Sequence, residues 1–187
     1  MIVLIGVLIG AIMIVGMVVQ SRLKAKFKKY SETPISSNLT GREIAEKMLE
    51  DNGITDVRVI SVNGQLTDHY NPLKKTVNLS EAVYGHRNAA AAAVAAHECG
   101  HAVQHAKAYT WLTLRSRLVP VVSFSSKYMQ WVILAGLAVA SSGSTTLLQV
   151  GIGLYAVTTL FTFLTLPVEF DAIKRALSWL REHRMAR

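Results

Sequence analysis

The sequence predicts a mainly α-helical membrane protein, in which a histidine-bearing helix and a small β-sheet are joined to about three transmembrane helices. Three observations predict it. Of the 187 residues, 51% are hydrophobic and only 17% charged, with a mean hydropathy of +0.31; that balance leans away from an ordinary soluble domain. Two long tracts without a charged side chain, Ile2 to Val19 and Tyr128 to Val168, have basic residues beside them. Between them an alanine run leads into His97-Glu98-Cys99-Gly100-His101. The chain divides into an anchor over 1–20, a domain carrying the histidine helix over 21–127, a transmembrane helical hairpin over 128–166 and a cytoplasmic segment over 167–187.

Ile2 to Val19 is about 27 Å long as a helix, enough to cross a bilayer core. No basic region precedes it and no Ala-x-Ala follows, so it reads as a retained anchor rather than a cleaved signal peptide. Arg22, Lys24, Lys26, Lys28 and Lys29 come directly after it, which places the N-terminus outside and the following chain in the cytoplasm. Pro34 to Asn38 is a polar linker. Thr40-Gly41-Arg42-Glu43 is a capping box opening a helix over about 41–51, with Ala45, Met48 and Leu49 as its apolar stripe and Gly53 as its stop. Val57 to Val62 predicts a strand, Asn63-Gly64 a hairpin turn into a second strand over Leu66 to Tyr70, Asn71-Pro72 a further turn, and Thr76 to Leu79 the last strand. An edge of such a sheet suits an extended peptide. Ser80-Glu81 opens a helical turn. Asn88 is placed to cap a helix over about 88–109, which the alanines favour and no proline interrupts.

The uncharged tract from Tyr128 is too long for one span and predicts two, near 128–141 and 145–166, around a turn at Ser141-Ser142-Gly143-Ser144. Arg115, Arg117 and Lys127 precede this hairpin and Lys174, Arg175 and Arg181 follow it, so it enters from the cytoplasm and returns there. The net charge of +8 would favour nucleic acid in a soluble chain. Here the basic residues track the span flanks without aromatic interleaving, which argues for anionic membrane lipid and against nucleic acid. The single cysteine, Cys99, excludes an intrachain disulfide. It points away from the two histidines and reads as a small packing residue.

Histidines four apart lie on one helix face about 6 Å apart along the axis, so both imidazoles reach one metal ion. Neutral imidazoles suit Zn²⁺, which keeps one position for water in catalytic sites. Glu98 then stands beside that water as a general base. A third ligand is required. His105 lies about 12 Å along the helix from His97, too far to share the ion. Glu169 and Asp171 are the first charges after the uncharged tract. Either can supply an oxygen but not both to one ion, since they face apart on a helix; capping a helix that begins near Pro167 is the other reading. His69 can donate to a tetrahedral intermediate or cap the turn before Pro72.

Leu66-Thr67-Asp68-His69-Tyr70-Asn71-Pro72, Ala95-Ala96-His97-Glu98-Cys99-Gly100-His101-Ala102-Val103-Gln104 and Thr165-Leu166-Pro167-Val168-Glu169-Phe170-Asp171-Ala172 together resemble the YugP-type neutral zinc metallopeptidases of bacterial membranes. The similarity runs from the first span to about residue 180. It implies a zincin-like helix with a small sheet and a membrane-bound peptidase of gluzincin type. It further implies His97 and His101 as metal ligands, Glu98 as the base, and Glu169 ahead of Asp171 as the third ligand. Related membrane gluzincins carry an Asp four residues after that ligand, where this chain has Ile173; Asp171 is instead available to orient a metal histidine through its second nitrogen. The family tends to continue to another apolar segment, whereas this sequence stops at Arg187. The expected function is a multi-pass zinc endopeptidase of the cell membrane acting on protein or peptide substrates from the cytoplasmic side. The alternative is a membrane adaptor that binds partner proteins with structural zinc or none, for which Glu98 would be superfluous.

Overall fold

The computed structural model describes residues 2–140 and 143–185. In chain order these form α1 (Ile2–Ser31), α2 (Gly41–Asp51), β1 (Arg58–Val62), β2 (His69–Asn71), β3 (Thr76–Ser80), α3 (Glu81–Tyr84), α4 (Ala89–Ala106), α5 (Thr110–Ala140) and α6 (Thr146–Glu182). The protein is mainly helical with one small sheet.

Local signals fix the helix starts. Thr40 Oγ1 accepts from the Glu43 amide at 3.2 Å while Glu43 Oε2 accepts from the Thr40 amide at 2.7 Å, which closes the capping box and satisfies two orphan donors of α2. Gly53 takes φ +69° just past the helix end, as the stop requires. Asn88 Oδ1 accepts from the Ala91 amide at 2.8 Å and starts α4 where the alanines begin. That helix ends at Ala106 rather than near 109, because Ala108 turns to φ +50° and the Tyr109 amide returns to the Gln104 carbonyl at 2.9 Å. The chain thereby reverses directly into α5.

The sheet differs from the expected hairpin. Its order is β1-β3-β2, with β1 parallel and β2 antiparallel to β3. Asn63-Gly64 does turn the chain, but into a wide loop over 63–68 rather than a two-residue hairpin. The reason lies in β3, whose residues are all buried and whose Val77 and Leu79 enter the core; the most buried strand takes the middle. Asp68 then accepts from the Ser80 amide at 2.7 Å and from its hydroxyl at 3.1 Å, which carries the loop across the end of β3. The real hairpin is β2–β3. Its turn is held by Asn71 Oδ1, which accepts from the Leu73 and Lys74 amides at 3.0 Å each.

Helices α5 and α6 are longer than the expected spans, and Pro120 and Pro167 lie inside them rather than at their ends. Thr110–Val139 and Thr146–Glu182 are long and apolar enough to cross a membrane. They approach closely at glycines: a Cβ on Gly136 would sit 2.7 Å from the Leu148 amide nitrogen, and one on Gly151 2.6 Å from the Ile133 side chain. Of the expected turn, Ser141 and Ser142 lie outside the described residues, while Gly143 has φ +89°. Among the described residues, two helices are thus long and apolar enough to be spans, where about three spans were expected. α6 continues without a break through Pro167 into the core formed by Ile44, Met48, Val77, Leu79, Ala95 and Cys99, to which it adds Trp179 and Leu180. Trp179 Nε1 donates to Asp51 at 2.9 Å, tying the end of α6 to α2.

Candidate metal centre

The alanine run exists for packing as well as helicity. Ala91, Ala95 and Ala96 are fully buried, and Cys99 joins them with its thiol 3.5 Å from the Ala45 carbonyl. That face is closed off by α2, so the histidines project from the other side of α4. Gly100 faces α6: a Cβ there would lie 2.7 Å from the Ala172 carbonyl oxygen. Backbone meets backbone, and α6 comes within reach of both histidines.

That approach brings the sequence-predicted ligands together. His97 Nε2 lies 3.4 Å and His101 Nε2 3.3 Å from the same carboxylate oxygen, Glu169 Oε2. One ligand atom from each of the three residues falls within 4.8 Å of the others, so the group can hold a metal ion. Two ligands about 2.0–2.1 Å from a tetrahedral zinc are separated by about 3.4 Å, and both histidine–carboxylate separations fit it. Two nitrogens and one carboxylate oxygen are also the donor set of a catalytic zinc, with a position left open. Asp171 lies outside this group.

Asp171 instead acts at one remove. Gln104 is fully buried, and its amide nitrogen donates to both the Val168 carbonyl and Asp171 Oδ2 at 2.8 Å each. With both donors used, its oxygen is what faces His101 Nδ1 at 3.0 Å. His101 therefore donates from Nδ1, so that in the neutral imidazole Nε2 is the bare nitrogen facing Glu169. Arg175 Nε donates to that same Asp171 oxygen at 2.6 Å. His97 has no such support: its Nδ1 is buried without a hydrogen-bond partner among the described residues.

Glu98 is 8% exposed and accepts from the Tyr70 amide of β2 at 3.0 Å. Burial raises its carboxyl above the ordinary range, against the opposing pull of His97, His101 and that amide. His105 is the anchor of this arrangement rather than a ligand, since its Nδ1 meets the Tyr70 hydroxyl at 2.7 Å. His69 is exposed and its Nδ1 donates to the Thr67 carbonyl at 2.8 Å, the local turn contact. His97 and Glu98 together line a cleft of about 430 Å³ whose opposite wall is Ile173 and Leu177 of α6.

Two residues escaped the sequence reading. Nothing local marks Gln104, a glutamine whose partners Val168 and Asp171 lie on α6. Arg115 was counted among the basic residues flanking the hairpin; it also reaches the site, with Nη2 3.8 Å from Glu169 Oε1. Its buried Nε has no hydrogen-bond partner among the described residues.

Comparison with known proteins gives two findings. A family model described as "putative neutral zinc metallopeptidase" matches residues 5–187. The "putative membrane protease YugP" of Bacillus subtilis (strain 168) is 45% identical over 157 residues, which cover 84% of this chain and 68% of that relative. No solved structure matches the chain.

Proposed function

Because the chain belongs to this family of neutral zinc metallopeptidases, we propose that it is a membrane-bound zinc endopeptidase acting on protein or peptide substrates. The observation that carries the reading is the convergence of His97, His101 and Glu169 beside a buried Glu98 on an open cleft.

His97 and His101 would hold zinc through Nε2 and Glu169 through a carboxylate oxygen. When bound, zinc polarises the substrate carbonyl and acidifies a water. Glu98 takes the proton of the attacking water and delivers it to the leaving amine. Its burial supports that role, since a carboxyl above its ordinary range is a better proton acceptor near neutral pH. The Tyr70 amide fixes one of its oxygens. Arg115 balances the charge of Glu169 from the side of α5.

The setting is the cell membrane. To the two spans α5 and α6 the proposal adds α1, whose Ile12, Met13, Ile14, Val15 and Val19 are about 60% exposed on every side of the helix, as lipid would require and water would not. The basic flanks orient all three spans with the N-terminus outside and the metal site inside.

Zinc per chain, measured by elemental analysis on detergent-purified protein, tests the ligand set. Wild type is expected to hold about one zinc, Glu169→Ala to lose it, and Asp171→Ala to keep it. Loss with Asp171→Ala alone would move the ligand. Glu98→Gln is expected to keep zinc and lose about 10²–10⁴-fold in peptide hydrolysis; full proteolysis by that variant would sink the base assignment.

A further inference from the structure

The cleft beside His97 and Glu98 does not end at the metal residues. A second cavity, of about 860 Å³, lies between the cytoplasmic end of α1, the linker after it, the first half of α4 and the end of α6. Ala93, Val94, Leu177 and Leu180 line both cavities. The two therefore form one trough that leads away from the metal ligands on a single side. Both volumes lie in the range of about 300–1,000 Å³ typical of built binding sites.

The chemistry of the trough changes along its length. Its inner end holds His97 and Glu98. Asp68 lies there too, but its carboxylate is already engaged by Ser80. The middle is floored by alanine methyls of α4 and walled by Leu177 and Leu180, and the outer end is closed by Phe27 and Tyr30 with Lys26 beside them. Alanine floors let a main chain lie close, while the leucine and aromatic walls reward apolar side chains by removing them from water. Along the alanine and leucine stretch a polar segment would give up its hydration for walls without side-chain partners, whereas Lys26, Tyr30, Thr33 and Ser36 offer polar groups only at the outer end.

Resting on the endopeptidase reading, we propose that this trough binds an extended apolar stretch of the polypeptide substrate, lying on one side of the scissile bond. Continuity with the metal residues selects a polypeptide as the occupant. The trough opens onto the groups that carry the chemistry, and a chain threaded along it places its next peptide bond beside His97 and Glu98. The specificity-determining residues are Ala93 and Leu177 where the cavities join, and Phe27 at the far end.

The test uses the full chain, zinc-loaded, in detergent micelles. A mixture of synthetic peptides is digested and the cleavage sites are read by mass spectrometry. Separately, Glu98→Gln protein is irradiated with a lysine-flanked leucine–alanine peptide carrying photo-leucine, and the labelled residues are mapped. Apolar enrichment over several positions on one side of the cut, with label on the trough residues, is the expected result. Ala93→Trp and Phe27→Ser, checked for retained zinc, should each reduce both the enrichment and the label, Ala93→Trp by about tenfold. Cleavage without one-sided apolar enrichment, label outside the trough, or unchanged preference in both zinc-retaining variants overturns the proposal. So does label that dioleoyl phosphatidylglycerol displaces and unlabelled peptide does not, since the trough would then take acyl chains. Label in the trough while zinc-loaded wild type cleaves no peptide overturns the endopeptidase reading and leaves the binding site standing.

Discussion

At the scale of single residues, Gln104 decides which nitrogen of His101 faces the metal. Its two amide hydrogens go to Val168 and Asp171, so only its oxygen is left for the imidazole. Removing it leaves His101 free to adopt the other tautomer, with the proton where the metal should be. Gln104→Ala is expected to weaken zinc binding about 10- to 100-fold, the usual cost of losing a group that orients a ligand, as read by competition with a chelator. Unaltered zinc affinity would mean that Glu169 and His97 fix the site without it. Tyr70, which holds Glu98 through its amide, offers a second check. Burial, with the negative charge of Asp56 adding to it, pushes its phenol up to about 12 from an ordinary 10.0. The folded state then keeps a proton that the unfolded state releases, so this contribution is complete below pH 10 and is lost as pH rises toward 12. Melting midpoints followed across that window should fall in wild type and fall less steeply in Tyr70→Phe. Equal slopes would show that the phenol is not held in its neutral form.

At the scale of elements, the site is a contact between two helices, and Gly100 sets its spacing. A methyl group there would lie 2.7 Å from a backbone oxygen of α6, which no side-chain rotation can relieve. Gly100→Ala should cost about 1–3 kcal/mol as overpacking and should also release zinc, because the shift moves Glu169 away from both histidines. A lowered melting point with zinc fully retained would separate the two effects and show that α6 yields elsewhere. The same contact explains what the sequence made legible. Thr40, Glu43, Gly53 and Asn88 act within a few residues of themselves, and the helices they bound lie close to where those signals put them. The histidine pair was readable because a helix repeats every turn, and Glu169 because it broke an uncharged tract. Strand order was not readable: it depends on Asp68 reaching Ser80 around the end of β3, a tertiary contact that the Asn63-Gly64 signal does not encode. Gln104 and Arg115 were missed for the same reason, since each takes its meaning from α6. The flank reading of Arg115 rested on its charge alone, which a residue beside a carboxylate and one beside a lipid share.

At the scale of the whole molecule, α6 runs unbroken from Thr146 to Glu182, so one helix carries both a stretch apolar enough to cross a membrane and the candidate third ligand. In the proposed topology the metal residues are held at a fixed height above the bilayer, and the trough lies beyond them toward the end of α1. This arrangement puts the site on the cytoplasmic side only if the basic flanks are cytoplasmic, because reversing the hairpin would carry Glu169 and the trough to the other face. Single cysteines at two exposed positions test it. Cys99 is buried and burial pushes its thiol well above the usual range, so the native cysteine should stay silent toward a membrane-impermeant maleimide. On intact cells, Ser144→Cys, beside the turn between α5 and α6, should label at once. Glu32→Cys, just beyond α1, should label only after permeabilisation. If Glu32→Cys labels from outside and Ser144→Cys does not, the metal centre faces outward and the substrates of the proposed peptidase must be sought there. If both label from outside, α1 and the hairpin do not share the orientation that their flanking charges dictate, and α1 loses its place as the third span.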